Sequence, residues 1–225
     1  MSEAAIFLKQ NAMNITASDI LTFCKAKYGT EINETPGAVN LFYLEGCTAG
    51  ALTQNPDLID QWNDTSLIIS YNQAGQPVIV FNAEATSEPG LSATTSKQAQ
   101  KLGGVFRIAI GWHKEKWVQG FHKSNILHPA LVQCAPINGH RDKNMDGKRT
   151  GDLFTDNVRG LNQHGTREGL KSVRVGEWSY ACLVRRMWGD HMAFMRLCSL
   201  DPGYILNKAF KYSATVVDWS EFVKA

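Results

Sequence analysis

Net charge is nearly absent from this 225-residue chain: 23 Lys and Arg stand against 21 Asp and Glu, a formal +2 at pH 7. Without a strong basic field there is no electrostatic footprint for a dedicated nucleic-acid binder. No apolar run approaches the ~18 residues that a membrane-crossing helix needs. The first residues, MSEAAIFLKQNAMNITASD, carry no basic segment ahead of a long apolar one, so no secretory signal is expected. No C-x-x-C occurs, and Cys24, Cys47, Cys134, Cys182 and Cys198 are odd in number and unpaired in spacing. That excludes a dense disulfide framework and argues against a structural zinc site. Buried, weakly reactive thiols are the ordinary expectation for most of the five.

Apolar residues, by contrast, make up 44% of the chain, enough to bury a core and to exclude a disordered polymer. The length fits one domain with a small appendage. Residues 15–28 place Ile20, Leu21, Phe23, Cys24 and Tyr28 at helical spacing, with Thr16 or Ser18 as cap and Gly29 as terminator. Residues 30–37 read as a linker, so an N-terminal helical segment (1–37) is expected ahead of a main domain (38–225). Beyond Gly37 the texture changes to short β-branched runs broken by turns: 39–44, 66–71, 77–82, 104–110, 116–121 and 130–134, with 158–163 and 180–185 as later strands. Residues 187–200 read as an amphipathic helix that would bury Met187, His191, Phe194, Met195 and Cys198 on one face. His191 there is expected to be a satisfied core residue. The aromatic tail from Tyr204 onward is expected to pack back on the core. The fold class is α+β, β-rich, without the regular alternation of a doubly wound sheet.

The stretch that carries chemistry is 160–185, with His164-Gly165-Thr166 followed by Gly176 and then Ser179-Tyr180-Ala181-Cys182. A thiol becomes a strong nucleophile when a nearby imidazole takes its proton, and here the base precedes the nucleophile. Papain-like enzymes run in the opposite order. The H-G-T, spacer and S-x-x-C arrangement resembles the active-site signature of L,D-transpeptidases, which remodel peptidoglycan. Residues 82–90 (NAEATSEPG) are similar to a threonine-proline-glycine turn of that family. The resemblance implies a β-sandwich body with one helix after the catalytic strand. It also implies that Cys182 attacks a stem-peptide carbonyl to form a thioester, with His164 as base and the Gly165 carbonyl orienting the imidazole. Ser179 would order the turn, and backbone N–H groups at Tyr180 and Ala181 would face the oxyanion. Thr166, Trp178, Arg185 and Arg186 would contact substrate. The chain departs from the family pattern at three places: Tyr180 stands for His, Ala181 for Gly, and Val184 for an Arg that here comes one and two residues later.

A second motif, DKNMDGKRTGD, sets Asp142, Asn144 and Asp146 at alternate positions before Gly147, as in the first half of a calcium loop, with Asp152 as a further ligand. The competing reading is a polar turn whose Asp side chains bond their own backbone. The thioester chemistry requires no cofactor, so Ca2+ is the one ion the sequence calls for. His113, His122, His128 and His140 lack metal-ligand spacing. Glu45 with Asp60 or Asp64 leaves open a glycosidase pair, and Trp112, Trp117 and Trp178 a sugar-binding surface. The expected partner is the peptidoglycan stem peptide, reached from the cytoplasm after lysis or by delivery with a phage tail or secretion system. A wall-binding or virion structural domain with a degenerate site is the alternative from another class.

Overall fold

The run Asn40–Glu45, strand β1, is buried at all six positions, which a strand reaches only when both of its faces are covered. Its alternate residues divide between two cores. Leu41 and Tyr43 join Ile68, Leu131, Leu183 and Phe194 in one; Phe42 and Leu44 join Leu67, Ile69 and helix α1 (Ala17–Tyr28) in the other. Helix α1 forms where the spacing places it. Thr16 caps it in a reciprocal capping box with Asp19, and Gly29 ends it in the left-handed region at φ 64°. Ile20, Leu21 and Cys24 are its buried stripe, and each large aliphatic side chain covered this way contributes roughly 1.5–3 kcal/mol.

The computed structural model describes residues 15–124, 127–148 and 152–225; residues 1–14 of the expected N-terminal segment lie outside them. In chain order the strands after β1 are β2 (Cys47–Thr48), β3 (Thr53–Gln54), β4 (Asp64–Tyr71), β5 (Pro77–Thr86), β6 (Val105–Ile108), β7 (Gly111–Phe121), β8 (Pro129–Gln133), β9 (Ile137–Asp142), β10 (Leu153–Val158), β11 (Gln163–Gly165), β12 (Leu183–Arg185) and β13 (Tyr212–Asp218). The helices after α1 are α2 (Leu91–Thr94), α3 (Lys97–Lys101), α4 (Trp188–Ser199), α5 (Pro202–Leu206) and α6 (Trp219–Phe222).

Eight strands close into a barrel in the order β1-β13-β7-β8-β11-β12-β5-β4, flanked by a three-stranded sheet β10-β9-β6 and the β2-β3 ribbon. The expected sandwich is therefore corrected to a closed barrel. The reason is the tail: β13 inserts between β1 and β7, parallel to the first and antiparallel to the second, and leaves no edge open. A second parallel pair, β11 with β12, sets Gln163 opposite Leu183 and Gly165 opposite Arg185. Parallel neighbours need a long connection, and residues 166–182 supply it as irregular chain.

The expected strands at 39–44, 66–71, 77–82 and 130–134 match β1, β4, β5 and β8. The expected strand 158–163 is instead the end of β10 and the start of β11, separated at Gly160 (φ 99°). Residues 180–182 lie before β12 rather than in it. The amphipathic helix after β12 forms as α4 and buries His191, Phe194, Met195 and Cys198; Met187 caps it from outside, and two further short helices follow. Among the described residues, no helix is long and apolar enough to cross a membrane.

Candidate functional site

Alternation along β11 and β12 decides which side chains meet. Leu183 belongs to the core inside the barrel, so Cys182 and Val184 point outward, where they pack with Trp62, Val175 and Trp178. His164 is paired with Val184 across the parallel ladder and therefore shares that outer face with Cys182. The imidazole is held by its own neighbour: His164 Nδ1 lies 2.8 Å from the Gly165 carbonyl oxygen. A carbonyl only accepts, so Nδ1 carries the proton and Nε2 keeps its lone pair.

Two more imidazoles gather around His164. The β7–β8 turn brings His122 onto it as a stacked ring, centroids 3.9 Å apart and 27° between planes, and sets His128 edge-on at 5.6 Å. His128 Nε2 donates to the same Gly165 carbonyl at 3.1 Å, and Asn162 Nδ2 donates to His122 Nδ1 at 3.2 Å. These rings, with Lys123, Glu177 and Trp178, line a cavity of about 390 Å³. Burial pushes His164 well below the usual imidazole range, and the neighbouring His122 adds to the effect. Burial likewise takes His122 down to about 4 and lowers His128. At neutral pH the cluster is uncharged, so His164 is a free base rather than an imidazolium.

Cys182 is 9% exposed and its Sγ is directed to the Gly160 carbonyl oxygen at 3.7 Å, not to His164. Burial holds its thiol above the usual range. At rest the sulfur is thus a thiol and the imidazole neutral. The loop before Cys182 is tightly fixed. Ser179 Oγ donates to the Cys182 carbonyl at 2.8 Å and closes a turn around Tyr180 and Ala181, while the Ser179 carbonyl accepts from Gly90 N–H at 2.9 Å. Among the described residues no hydrogen bond uses the N–H groups of Tyr180, Ala181 or Cys182. Asp60 braces the other side of this loop: its Oδ1 accepts from Gly176 N–H (2.7 Å) and Leu91 N–H (3.0 Å), tying the 86–90 turn to the 166–182 connection.

No protein-family model, curated protein or solved structure matches the chain. The site stands on its geometry.

Of the residues singled out in the sequence, His164 and Trp178 line one cavity and Tyr180, Ala181 and Cys182 a second, with Ser179 bonded to the Cys182 carbonyl and the Gly165 carbonyl to His164. Trp178 both packs near Cys182 and lines the histidine cavity. Thr166 does not reach a cavity: it is fully buried, and its hydroxyl donates to the Arg186 carbonyl at 2.7 Å. Arg185 points into the barrel, where its guanidinium bonds Tyr43 Oη, Ser66 Oγ and His191 Nδ1 and lies 3.4 Å from the centre of the Phe194 ring. The expectation that it contacts substrate is corrected by the strand alternation that turns it inward. Arg186 faces out but is engaged by Glu84 and the Ser172 carbonyl, beside a separate cavity with Trp62 and Val173.

Asp142 and Asp146 of the proposed calcium loop are turned to local backbone, whereas both carboxylate oxygens of Asp152 are buried without a hydrogen-bond partner. Asp142 accepts from Asp146 N–H (3.2 Å) and Gly147 N–H (2.9 Å), Asp146 from Lys148 N–H (2.8 Å), and Asn144 Nδ2 bonds Asp146. Burial raises Asp152 to about 6, with the Asp142 charge adding to it. The group that does converge among the described residues is Glu45, Asp57 and Glu88, whose ligand atoms lie within 4.8 Å of one another. Glu88 there is paired with the buried Arg107. Asp64 lies next to it, buried with Glu45 beneath Ser87, whose hydroxyl reaches both, and burial takes it up to about 8. Glu45 and Asp64 are therefore both buried on one hydroxyl, while Asp60 is occupied by the Gly176 and Leu91 N–H groups. Trp117 is core, its indole N–H donating to the Leu161 carbonyl at 2.8 Å.

His122 and His128 are the site residues that the sequence did not single out as a pair. A signal for them was present: both flank the turn between two readable strands, and a hairpin brings such residues to one end of the sheet.

Proposed function

We propose that the protein is a peptidoglycan-acting cysteine enzyme of the L,D-transpeptidase type, cleaving or exchanging a stem-peptide bond through a Cys182 thioester. The observation that carries the reading is the orientation of His164. With Nδ1 committed to the Gly165 carbonyl, Nε2 is left as a neutral base on the face that carries Cys182. In this scheme the thiol proton passes to His164 Nε2 as sulfur attacks the peptide carbonyl. The unused N–H groups of the Tyr180–Cys182 turn are available to the developing oxyanion. The imidazolium then protonates the leaving amine, and water or a second amine resolves the thioester. Burial beneath the His122 and His128 rings keeps the base neutral before substrate binds.

A non-catalytic wall-binding or virion structural domain is favoured by one observation, the burial of the Cys182 thiol beside Ala181 in place of glycine. Incubation with purified peptidoglycan and mass spectrometry of the muropeptides separates the readings. The enzyme reading requires altered stem peptides with wild type and none with Cys182→Ala. Wall binding with unchanged muropeptides would refute it in favour of the binding module, and sugar-bond cleavage surviving Cys182→Ala would make the protein a muramidase.

A further inference from the structure

Cys182 and His164 line different cavities. The one beside the thiol, about 260 Å³, is walled by Leu102, Val105, Phe106 and Leu161 and carries Arg141 and Arg159 with no acidic residue in its lining. Arg141 lies over the Phe106 ring at 5.6 Å and donates one hydrogen bond to the Gly104 carbonyl at 3.1 Å; Arg159 is exposed. Among the described residues neither arginine has a carboxylate partner. The two arginines that sequence spacing offered for a substrate carboxylate are occupied elsewhere, Arg185 inside the barrel and Arg186 on Glu84.

We propose that Arg141 and Arg159 form an anion subsite that receives a carboxylate carried on a short aliphatic chain, on the acyl side of the bond that Cys182 attacks. The aliphatic wall accommodates the chain, and the guanidinium fork matches a carboxylate. The volume is below the roughly 300–1,000 Å³ of a drug-sized site, which suits one amino-acid residue and not a disaccharide.

Which half of the substrate enters follows from proton bookkeeping, and this part rests on the cysteine-enzyme reading. Sulfur forms a bond to the carbonyl carbon and the carbon–nitrogen bond breaks. The thiol proton moves to His164 and then to the departing nitrogen. The amine must leave toward the histidine cavity, so the acyl residue that stays on sulfur occupies the arginine cavity.

The subsite is testable without any wall chemistry, by comparing alkylation of Cys182 with iodoacetate and with iodoacetamide, mapped by mass spectrometry in the full chain. In wild type the acetate-to-acetamide rate ratio at Cys182 exceeds that of free N-acetylcysteine. It falls about tenfold in Arg141→Gln and by a smaller factor in Arg159→Gln, the size of one or two charge-assisted contacts. Arg141→Lys retains part of the preference. Arg159 is exposed, so its variant keeps the test sound even if Arg141→Gln unfolds. A ratio unchanged in both folded Gln variants overturns the subsite. So does Cys182 resisting both reagents while the more accessible Cys134 reacts. Peptidoglycan digestion in parallel keeps the two ideas apart: an untouched wall with an arginine-dependent ratio leaves the subsite standing and removes the enzyme reading.

Discussion

Gly90→Ala tests whether the loop carrying Cys182 is held by the 86–90 turn. A Cβ built on Gly90 falls 2.1 Å from the Gly176 carbonyl oxygen, 2.6 Å from its nitrogen and 2.8 Å from its carbonyl carbon. These are backbone atoms of a residue tied to Asp60, so they cannot rotate away as a side-chain tip would. Relief requires the two chains to part by more than an ångström, which breaks the Gly90 N–H bond to Ser179. Overpacking costs about 1–3 kcal/mol and a lost hydrogen bond about 1 kcal/mol, so the variant should be destabilised by about 2–4 kcal/mol. At about 2–4 °C per kcal/mol for a domain of this size, thermal unfolding followed by circular dichroism should fall by about 4–16 °C. Iodoacetamide labelling of Cys182 should accelerate as the loop lifts. Gly75→Ala is the control: Gly75 sits at φ 73° with nothing within 4 Å, so it carries backbone strain without a clash. Gly90 has φ −75°, so its cost is steric alone. A Gly90→Ala melting point within 2 °C of wild type, with unchanged labelling, would refute the account of how the loop is fixed.

Three further outcomes follow from named contacts. Arg185→Ala should cost more than ~4 kcal/mol, because it empties a large volume against Phe194, removes one of two hydrogen bonds at Tyr43 Oη and leaves His191 Nδ1 without its donor. Arg185→Met restores the volume and should recover much of the loss in a urea titration; equal stability of the two variants would contradict the packing role. Acid should destabilise the fold in a defined window. His113 is held down to about 4 by burial, so its folded state binds fewer protons than the unfolded chain below pH ~6.5, and stability falls as pH drops from there toward 4. At 1.36 kcal/mol per unit this one group carries about 3 kcal/mol, and His113→Phe should flatten the pH dependence of urea midpoints in that range. For the 142–152 loop, Asp142 and Asp146 already bonded to backbone N–H groups predict a melting point that neither Ca2+ nor EDTA moves. A Ca2+-dependent rise of several degrees would show instead that the loop holds the ion.

Local chemistry made part of this molecule readable in advance. Thr16, Asp19 and Gly29 fix the ends of α1 through contacts within a few residues, and the apolar runs of β1, β4, β5 and β8 announce strands buried on two faces or one. Strands β9 and β10, INGHRD and LFTDNV, have neither alternation nor apolar continuity, because they form an outlying sheet with exposed positions, and they were not readable. The spacing from His164 to Cys182 was visible, but the company that His164 keeps was not. His122 and His128 lie some forty residues upstream and arrive only when β8 pairs with β11.

By itself, then, the sequence determined a neutral chain with a buried core, a capped first helix, several strands and one H-G-T to Cys pattern, since each depends on short-range periodicity or composition. Tertiary structure decided the rest. The last strand closes the barrel because its pairing partners β1 and β7 lie roughly 100 or more residues upstream, which no local pattern encodes. Closure also defines an inside and an outside, and that alone separates Arg185 from Arg186. Arg185 ends β12 and Arg186 follows it, and successive residues of extended chain point to opposite faces, so one guanidinium is locked against Phe194 and the other reaches the surface.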